Sequence, residues 1–235
     1  MKILVIGGMH GNELLGLEIV NMFIKKPVNG VDVIVANEEA TRANSRFTGK
    51  DLNRSFPGDE RSTYEDKRAQ ELLGLAKQYD VVLDFHNTYS SNNDCSFVGE
   101  NAPESLNEVS WLLGLNKVII ADYDCVNKYA TNCLSVEISL DSSLNKAEIW
   151  YERILLLSRL NNVSVDSDVE TYKFVYRMTL DDRDKYDLTN KKLAAFQPLN
   201  QTLARSMGVK TPAYPIFIGD KFTPYNYGGL LNKIK

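Results

Sequence analysis

The chain opens on Ile3-Leu-Val-Ile6, four apolar residues without a break, stopped by Gly7-Gly8 and followed after Gly11 by a helical period. A short apolar run that ends in glycine and passes into an amphipathic helix predicts a buried strand feeding a helix. The helix is expected from about Asn12 to Lys26, with Leu15, Ile19, Met22 and Phe23 on one face and Pro27 and Gly30 ending it. A strand over 32–36 comes next, then an aperiodic, charged stretch from Asn37 to Gly58. Ser62-Thr-Tyr-Glu65 is a capping pattern that opens a helix with Ala69, Leu72, Leu73 and Ala76 inside. Strands are then expected at 81–85, 95–99 and 118–121, with a helix at 103–113 between the last two, and an alternating strand at 134–139. Asp141 or Ser142 is expected to cap a helix running to about Leu160, with Ala147, Trp150, Tyr151, Ile154 and Leu155 inside. Beyond Asn161-Asn162 the pattern changes to short strands with turns, at 171–178, 193–199 and 213–218. Strands alternating with helices predict an α/β fold, a sheet flanked by helices. The change of pattern predicts a first domain at 1–165 and a small, mostly β domain at 166–235.

The candidate chemistry sits where strands finish, the edge at which open α/β sheets take their ligands. His10 and Glu13 follow the first strand, three residues apart, and His86 follows strand 81–85. A histidine and a glutamate at this spacing also occur on many surfaces that bind nothing. Here, however, the chain has two histidines in 235 residues, and both fall at the ends of apolar strands. Zinc takes imidazole nitrogen and carboxylate oxygen at about 2.0–2.2 Å, and catalytic zinc keeps three protein ligands with a position open to water. His10, Glu13 and His86 supply that set, so one Zn2+ per chain is expected. Asp84 alternates onto the side of His86, either holding the imidazole or merely capping near the loop. The aperiodic stretch 37–58 is of a length that is uncommon in compact domains unless the loop is functional.

Composition narrows the partners. A net charge of −4 without a basic stripe argues against nucleic acid. The chain has no apolar span of about 18 residues, so no membrane passage is expected, and the start shows no signal-peptide pattern. Cys95, Cys125 and Cys133 form neither a disulfide framework nor a zinc knuckle, which points to a reducing cytoplasm. A homo-oligomer stays open.

Taken together, Gly7-Gly-Met-His-Gly-Asn-Glu13, Asp51-Leu-Asn-Arg54, Asp84-Phe-His-Asn87, the isolated Glu137 and a Tyr-Pro-Ile-Phe run from Tyr214 resemble the aspartoacylase/succinylglutamate desuccinylase family. These are zinc amidohydrolases on a carboxypeptidase A-like core with a mixed sheet. The resemblance implies that His10, Glu13 and His86 bind zinc and that Glu137 is the general base. It makes Asn53 and Arg54 the clamp for a substrate carboxylate, and Arg46 the group that polarises the scissile carbonyl. A planar guanidinium suits both tasks. A tyrosine of the carboxyl-terminal part lines the family's pocket, and Tyr225, with Tyr227 as its rival, stands near that place. The small second domain is then expected to cover the active site.

The chain departs from the family in two places. Ile138-Ser139-Leu140 follows Glu137 where glycine and proline are usual, and no arginine lies between Arg68 and Arg153 to meet a second acidic group. Lys128, nine residues before Glu137, stands near that arginine's place, as a substrate-binding point charge or as a solvated loop lysine. The expected function is a zinc-dependent amidohydrolase that removes an acyl group from a small N-acyl amino acid, an acidic one. The alternatives are a zinc carboxypeptidase acting on a short peptide and a non-catalytic binding protein on the same fold.

Overall fold

A computed structural model describes residues 1–160, 168–219 and 226–235. In chain order it contains β1 (Ile3–Gly7), α1 (Leu14–Lys25), β2 (Val31–Val35), α2 (Glu38–Arg42), α3 (Tyr64–Ala76), β3 (Val81–Thr88), β4 (Cys95–Val98), α4 (Ser105–Leu112) and β5 (Lys117–Ile120). It continues with α5 (Val126–Tyr129), β6 (Cys133–Ser139), α6 (Ala147–Ser158), β7 (Glu170–Thr179), α7 (Leu180–Lys185), α8 (Gln201–Ser206), β8 (Tyr214–Ile216) and β9 (Asn226–Lys233). The strands form one mixed sheet in the order β2-β1-β3-β6-β4-β5-β7-β9-β8. β1 pairs in parallel with β2 on one side and β3 on the other, and β3 pairs in parallel with β6. The chain therefore leaves β1 in one direction and later returns to its other side, which makes the carboxyl ends of β1 and β3 a topological switch point.

The unbroken apolar run in β1 reflects burial on both faces, as expected for the parallel part of a sheet. Ile3 and Val5 pack with Leu15, Ile19 and Phe23 of α1 and with Trp150 and Ile154 of α6. Leu4 and Ile6 point the other way, against Ala69 and Leu72 of α3 and Val126 of α5. The turn after β1 depends on glycine at two points. Gly8 has φ of +70°, and a Cβ on Gly11 would lie 2.1 Å from the Ala40 carbonyl carbon, so α2 can close against the turn.

Past residue 168 the strands extend the same sheet, with β7 parallel to β5 and antiparallel to β9. This part has its own apolar cluster around Met178, Leu188, Leu203 and Leu230. The expected boundary at 165/166 lies outside the described residues.

Several local expectations are corrected. The stretch 37–58 is not without helix: Asn37 caps α2 by accepting from the Ala40 amide at 3.0 Å, and Leu52–Arg54 is a 3-10 turn. Helix α3 is capped by Thr63, whose side chain accepts from the Asp66 amide. Neither Asp141 nor Ser142 caps α6; Ser142 instead accepts from the Leu144 amide and donates to Asp94. Residues 193–199 are not a strand: Phe196 and Leu199 donate their amides to the Pro215 and Ala213 carbonyls beside β8, but Phe196 has φ of +58°, outside the extended region, and no ladder forms.

Candidate active site

The glycine turn carries His10 and Glu13 over the end of β1, and β3 extends to Thr88, so His86 projects from within it. The three residues are buried, and one donor atom from each lies within 4.8 Å of the others. His10 Nδ1 is 2.7 Å from Glu13 Oε1, and His86 Nδ1 is 3.0 Å from Glu13 Oε2. Both imidazoles thus turn the same nitrogen to one carboxylate. Their other nitrogens are also held. His10 Nε2 lies 3.1 Å from Asp51 Oδ1, and His86 Nε2 lies 2.8 Å from Asp84 Oδ2. A carboxylate behind each ligating histidine is the usual device for fixing ring orientation at a metal. Of the two roles open to Asp84, the structure gives it the grip on His86.

The charges in this cluster suit a divalent cation. Burial pushes the His10 imidazole down, but Glu13 and Asp51 carry it above its ordinary value. Burial likewise opposes charge on His86, and Asp84 outweighs it, lifting the group well above 6.5. Glu13 and Asp51 are held well below the usual carboxylate range: burial works against this, and His10 prevails in both. With neutral imidazoles, Glu13, Asp51 and Asp84 would face one directly contacting guanidinium, Arg46, whose Nη1 and Nη2 are 3.4 Å from Glu13 and from Asp51. Protons on the imidazoles offset the surplus negative charge, and a metal ion among the same atoms would displace those protons.

Strand register sets the next residue. Glu137 of β6 is paired with His86 of β3, so both side chains leave the sheet on one face. A cavity beside the cluster is lined by His10, Arg46, Asn53, Arg54, Asn87 and Glu137, and its far wall by Tyr123, Phe174, Arg177 and Phe217. The Arg54 guanidinium lies over the Tyr123 ring, 5.0 Å from its centroid, and donates to the Asn53 carbonyl at 2.7 Å. The buried Asn53 Oδ1 has no partner among the described residues, a group that a bound ligand would satisfy. The loop bearing these groups is tied to the first turn of α3. Glu65 accepts from the Thr48 hydroxyl and the Gly49 amide, and Asp66 accepts from Lys50 Nζ at 2.6 Å.

The structure therefore brings together His10, Glu13, His86, Arg46, Asn53, Arg54 and Glu137. It does not bring Lys128, whose ammonium is held on an exposed face by Asp122 and Asp124 at 3.0 and 3.1 Å. Tyr225 lies outside the described residues. Tyr227 packs against the apolar cluster of Met178 and Leu188 rather than lining the cavity. Sequence reasoning missed three residues. Asp51 gives itself away only by standing in the motif with Asn53 and Arg54. Tyr123 had no signal. Arg177 was hidden by strand alternation, which places it with Lys173 and Val175.

A model of the succinylglutamate desuccinylase/aspartoacylase catalytic domain matches residues 1–132. A probable aspartoacylase of Nostoc sp. is 30% identical over 143 residues, which is 54% of this chain and 49% of the relative. An N-acyl-aromatic-L-amino acid amidohydrolase (carboxylate-forming) of Rattus norvegicus is 32% identical over 117 residues, 40% of this chain and 36% of that one. The chain thus matches about half the length, or less, of these curated relatives. Among solved structures, the succinylglutamate desuccinylase of Chromobacterium violaceum superposes with a TM-score of 0.75 at 16% identity, covering 100% of this chain and 85% of that one. Murine aminoacylase 3 gives a TM-score of 0.71 at 20% identity, covering 100% and 95%. At such identities the likeness is one of fold, and the fold is the carboxypeptidase-like one. With the catalytic-domain match extending over more than half its length, the chain belongs to the succinylglutamate desuccinylase/aspartoacylase family.

Proposed function

We propose that the protein is a zinc-dependent amidohydrolase that removes the acyl group from an N-acyl amino acid, with an acidic amino acid preferred. The observation that carries this reading is the adjacency, at one sheet edge, of three buried metal donors and a cavity lined by Glu137 and guanidinium groups. Relatives named aspartoacylase and N-acyl-aromatic-L-amino acid amidohydrolase support the reaction class. His10, Glu13 and His86 would hold the metal. When bound there, zinc supplies a Lewis acid and lowers the pKa of a coordinated water to about 7.

The remaining work falls to the chain's own residues. Glu137 takes the proton of the attacking water and returns it to the leaving amine, a role worth about 10²–10⁴-fold. Arg54 binds the substrate's α-carboxylate through its planar fork, with Tyr123 beneath the guanidinium and Asn53 beside it. Arg46 stabilises the oxyanion that develops as the carbonyl is attacked. The products are a free carboxylic acid and an amino acid. Three buried free thiols, Cys95, Cys125 and Cys133, support a reducing cytoplasm as the setting. Among the described residues no helix is long and apolar enough to cross a membrane.

One observation favours a second reading of the substrate. Tyr123, Phe174 and Phe217 line the cavity, and an aromatic amino acid would pack against them. The test is amine release from a panel of N-acetyl amino acids with acidic, amide, aliphatic and aromatic side chains, using zinc-loaded protein. Fastest turnover of the acidic members supports the first reading, and of the aromatic members the second. Release from none of them refutes the deacylase reading.

A further inference from the structure

We propose that Arg177 is a specificity-determining residue, whose guanidinium receives a second anionic group on the amino-acid half of the substrate. The inference rests on the deacylase reading. Its physical basis is a mismatch of charge in the cavity. Three guanidinium groups line it, and Glu137 is the one carboxylate among its described lining residues. Arg46 is matched by Glu13 and Asp51. Arg54 is the clamp for one carboxylate. Arg177 makes no hydrogen bond or ion pair with a described residue, so its five donors are available to a ligand.

Arg177 reaches the cavity through an irregularity in β7. Phe174 pairs with Leu231 of β9, but the next pair is Tyr176 with Leu230, so Val175 is an extra residue in the ladder. Such a bulge re-aims the side chains that follow it. Phe174 and Arg177, three apart, would face opposite sides of a regular strand; across the bulge they share the cavity. Gly229 stands opposite Arg177 in the ladder, so no side chain from that position competes for the space.

The order of groups decides which half of the substrate Arg177 meets. Along the sheet the sequence is the donors at β1 and β3, Glu137 on β6, then β4, β5 and β7. Arg54 lies over Tyr123, and Tyr123 meets Phe174 edge-on with centroids 6.2 Å apart. Arg177 lies beyond Phe174 on the same strand. A substrate with its scissile carbonyl at the metal donors and its α-carboxylate on Arg54 continues towards Arg177 through its amino-acid side chain, and its acyl group lies on the other side of the scissile bond.

The experiment compares kcat/KM for N-acetyl-aspartate, N-acetyl-glutamate, their amide counterparts N-acetyl-asparagine and N-acetyl-glutamine, N-acetyl-tyrosine and N-succinyl-leucine, in wild type, Arg177→Gln and Arg177→Lys. A hydrogen bond to a charged group is worth about 1.5–3 kcal/mol, and Arg177 is solvent-exposed, so the low end applies. The acid-to-amide ratio should fall about tenfold in Arg177→Gln and less in Arg177→Lys. If the ratio is the same in all three proteins, or if Arg177→Gln instead affects N-succinyl-leucine most, the assignment is wrong. Calorimetric binding of N-acetyl-glutamate and N-acetyl-glutamine to the same proteins separates the two claims. Absence of turnover with an Arg177-dependent preference for the dianion would refute the deacylase reading and keep the anion site. Turnover with no such preference would do the reverse.

Discussion

Replacing Asp84 with asparagine separates a histidine that is merely buried from one oriented for a metal. Asp84 is fully buried, and its Oδ2 lies 2.8 Å from Nε2 of His86, which is itself buried. The substitution preserves shape and leaves a carbonyl to accept from Nε2, but removes the charge that polarises the ring. Loss of a carboxylate behind a ligating histidine typically costs 10–100-fold in metal affinity, or about 1.4–2.7 kcal/mol. The upper part of that range is expected here, because no solvent screens the pair. The fold should bear the change, since the other oxygen, Oδ1, already lacks a hydrogen-bond partner among the described residues. Ser135→Ala is the control. Its hydroxyl is 3.4 Å from Asp84 Oδ2 but 2.7 Å from Asn127 Oδ1, so its single proton goes to Asn127 and zinc affinity should scarcely move. Competition against a chromogenic chelator gives the affinities. A loss of less than about twofold in Asp84→Asn, or an equal loss in Ser135→Ala, would refute the assignment of Asp84 as the group that sets His86.

Glu137→Gln should lower kcat by about 10²–10⁴-fold while zinc content, measured by emission spectroscopy, stays at the wild-type value; loss of zinc would make Glu137 a ligand instead. Arg54→Lys keeps the charge and loses the fork over Tyr123, so KM should rise for substrates with a free α-carboxylate and much less for their α-amides. The Asp66 carboxyl is held well below the usual carboxylate range, first by the Lys50 ammonium, with burial opposing. Because the folded-state value is depressed, its contribution is complete above the ordinary carboxylate pKa of about 4 and is lost as the pH falls below it. Tm measured against pH should therefore fall less steeply on the acid side in Asp66→Asn than in wild type.

How far the sequence can be read depends on whether a feature is local. The first strand is legible because Ile3 to Ile6 are apolar on both faces, and both faces are in fact covered. His10, Glu13 and His86 are legible because two histidines at two strand ends are rare in a chain with no others. Features set by distant partners are not. Val175 is an extra residue in the pairing of β7 with β9, and nothing in Phe174-Val-Tyr-Arg177 announces it. A glycine pair is ordinarily a turn signal, yet Gly228-Gly229 lies inside β9, held by β7 on one side and β8 on the other. Asp51 serves His10 across 41 positions of sequence, through a loop whose shape is fixed by Glu65 and Asp66. Lys128 stands at a suggestive spacing from Glu137, but the acidic side chains of Asp122 and Asp124 hold it outside the cavity.

The central claim is that His10, Glu13 and His86 hold one metal ion on which amide cleavage depends. Its most direct test is a titration of metal-stripped protein with zinc, following release of amino acid from an N-acyl amino acid in the same samples. The account predicts no release without metal, a linear rise with added zinc and a break at one equivalent per chain, with the response abolished in His86→Ala. Release from the stripped protein, or a zinc response that survives His86→Ala, would contradict it.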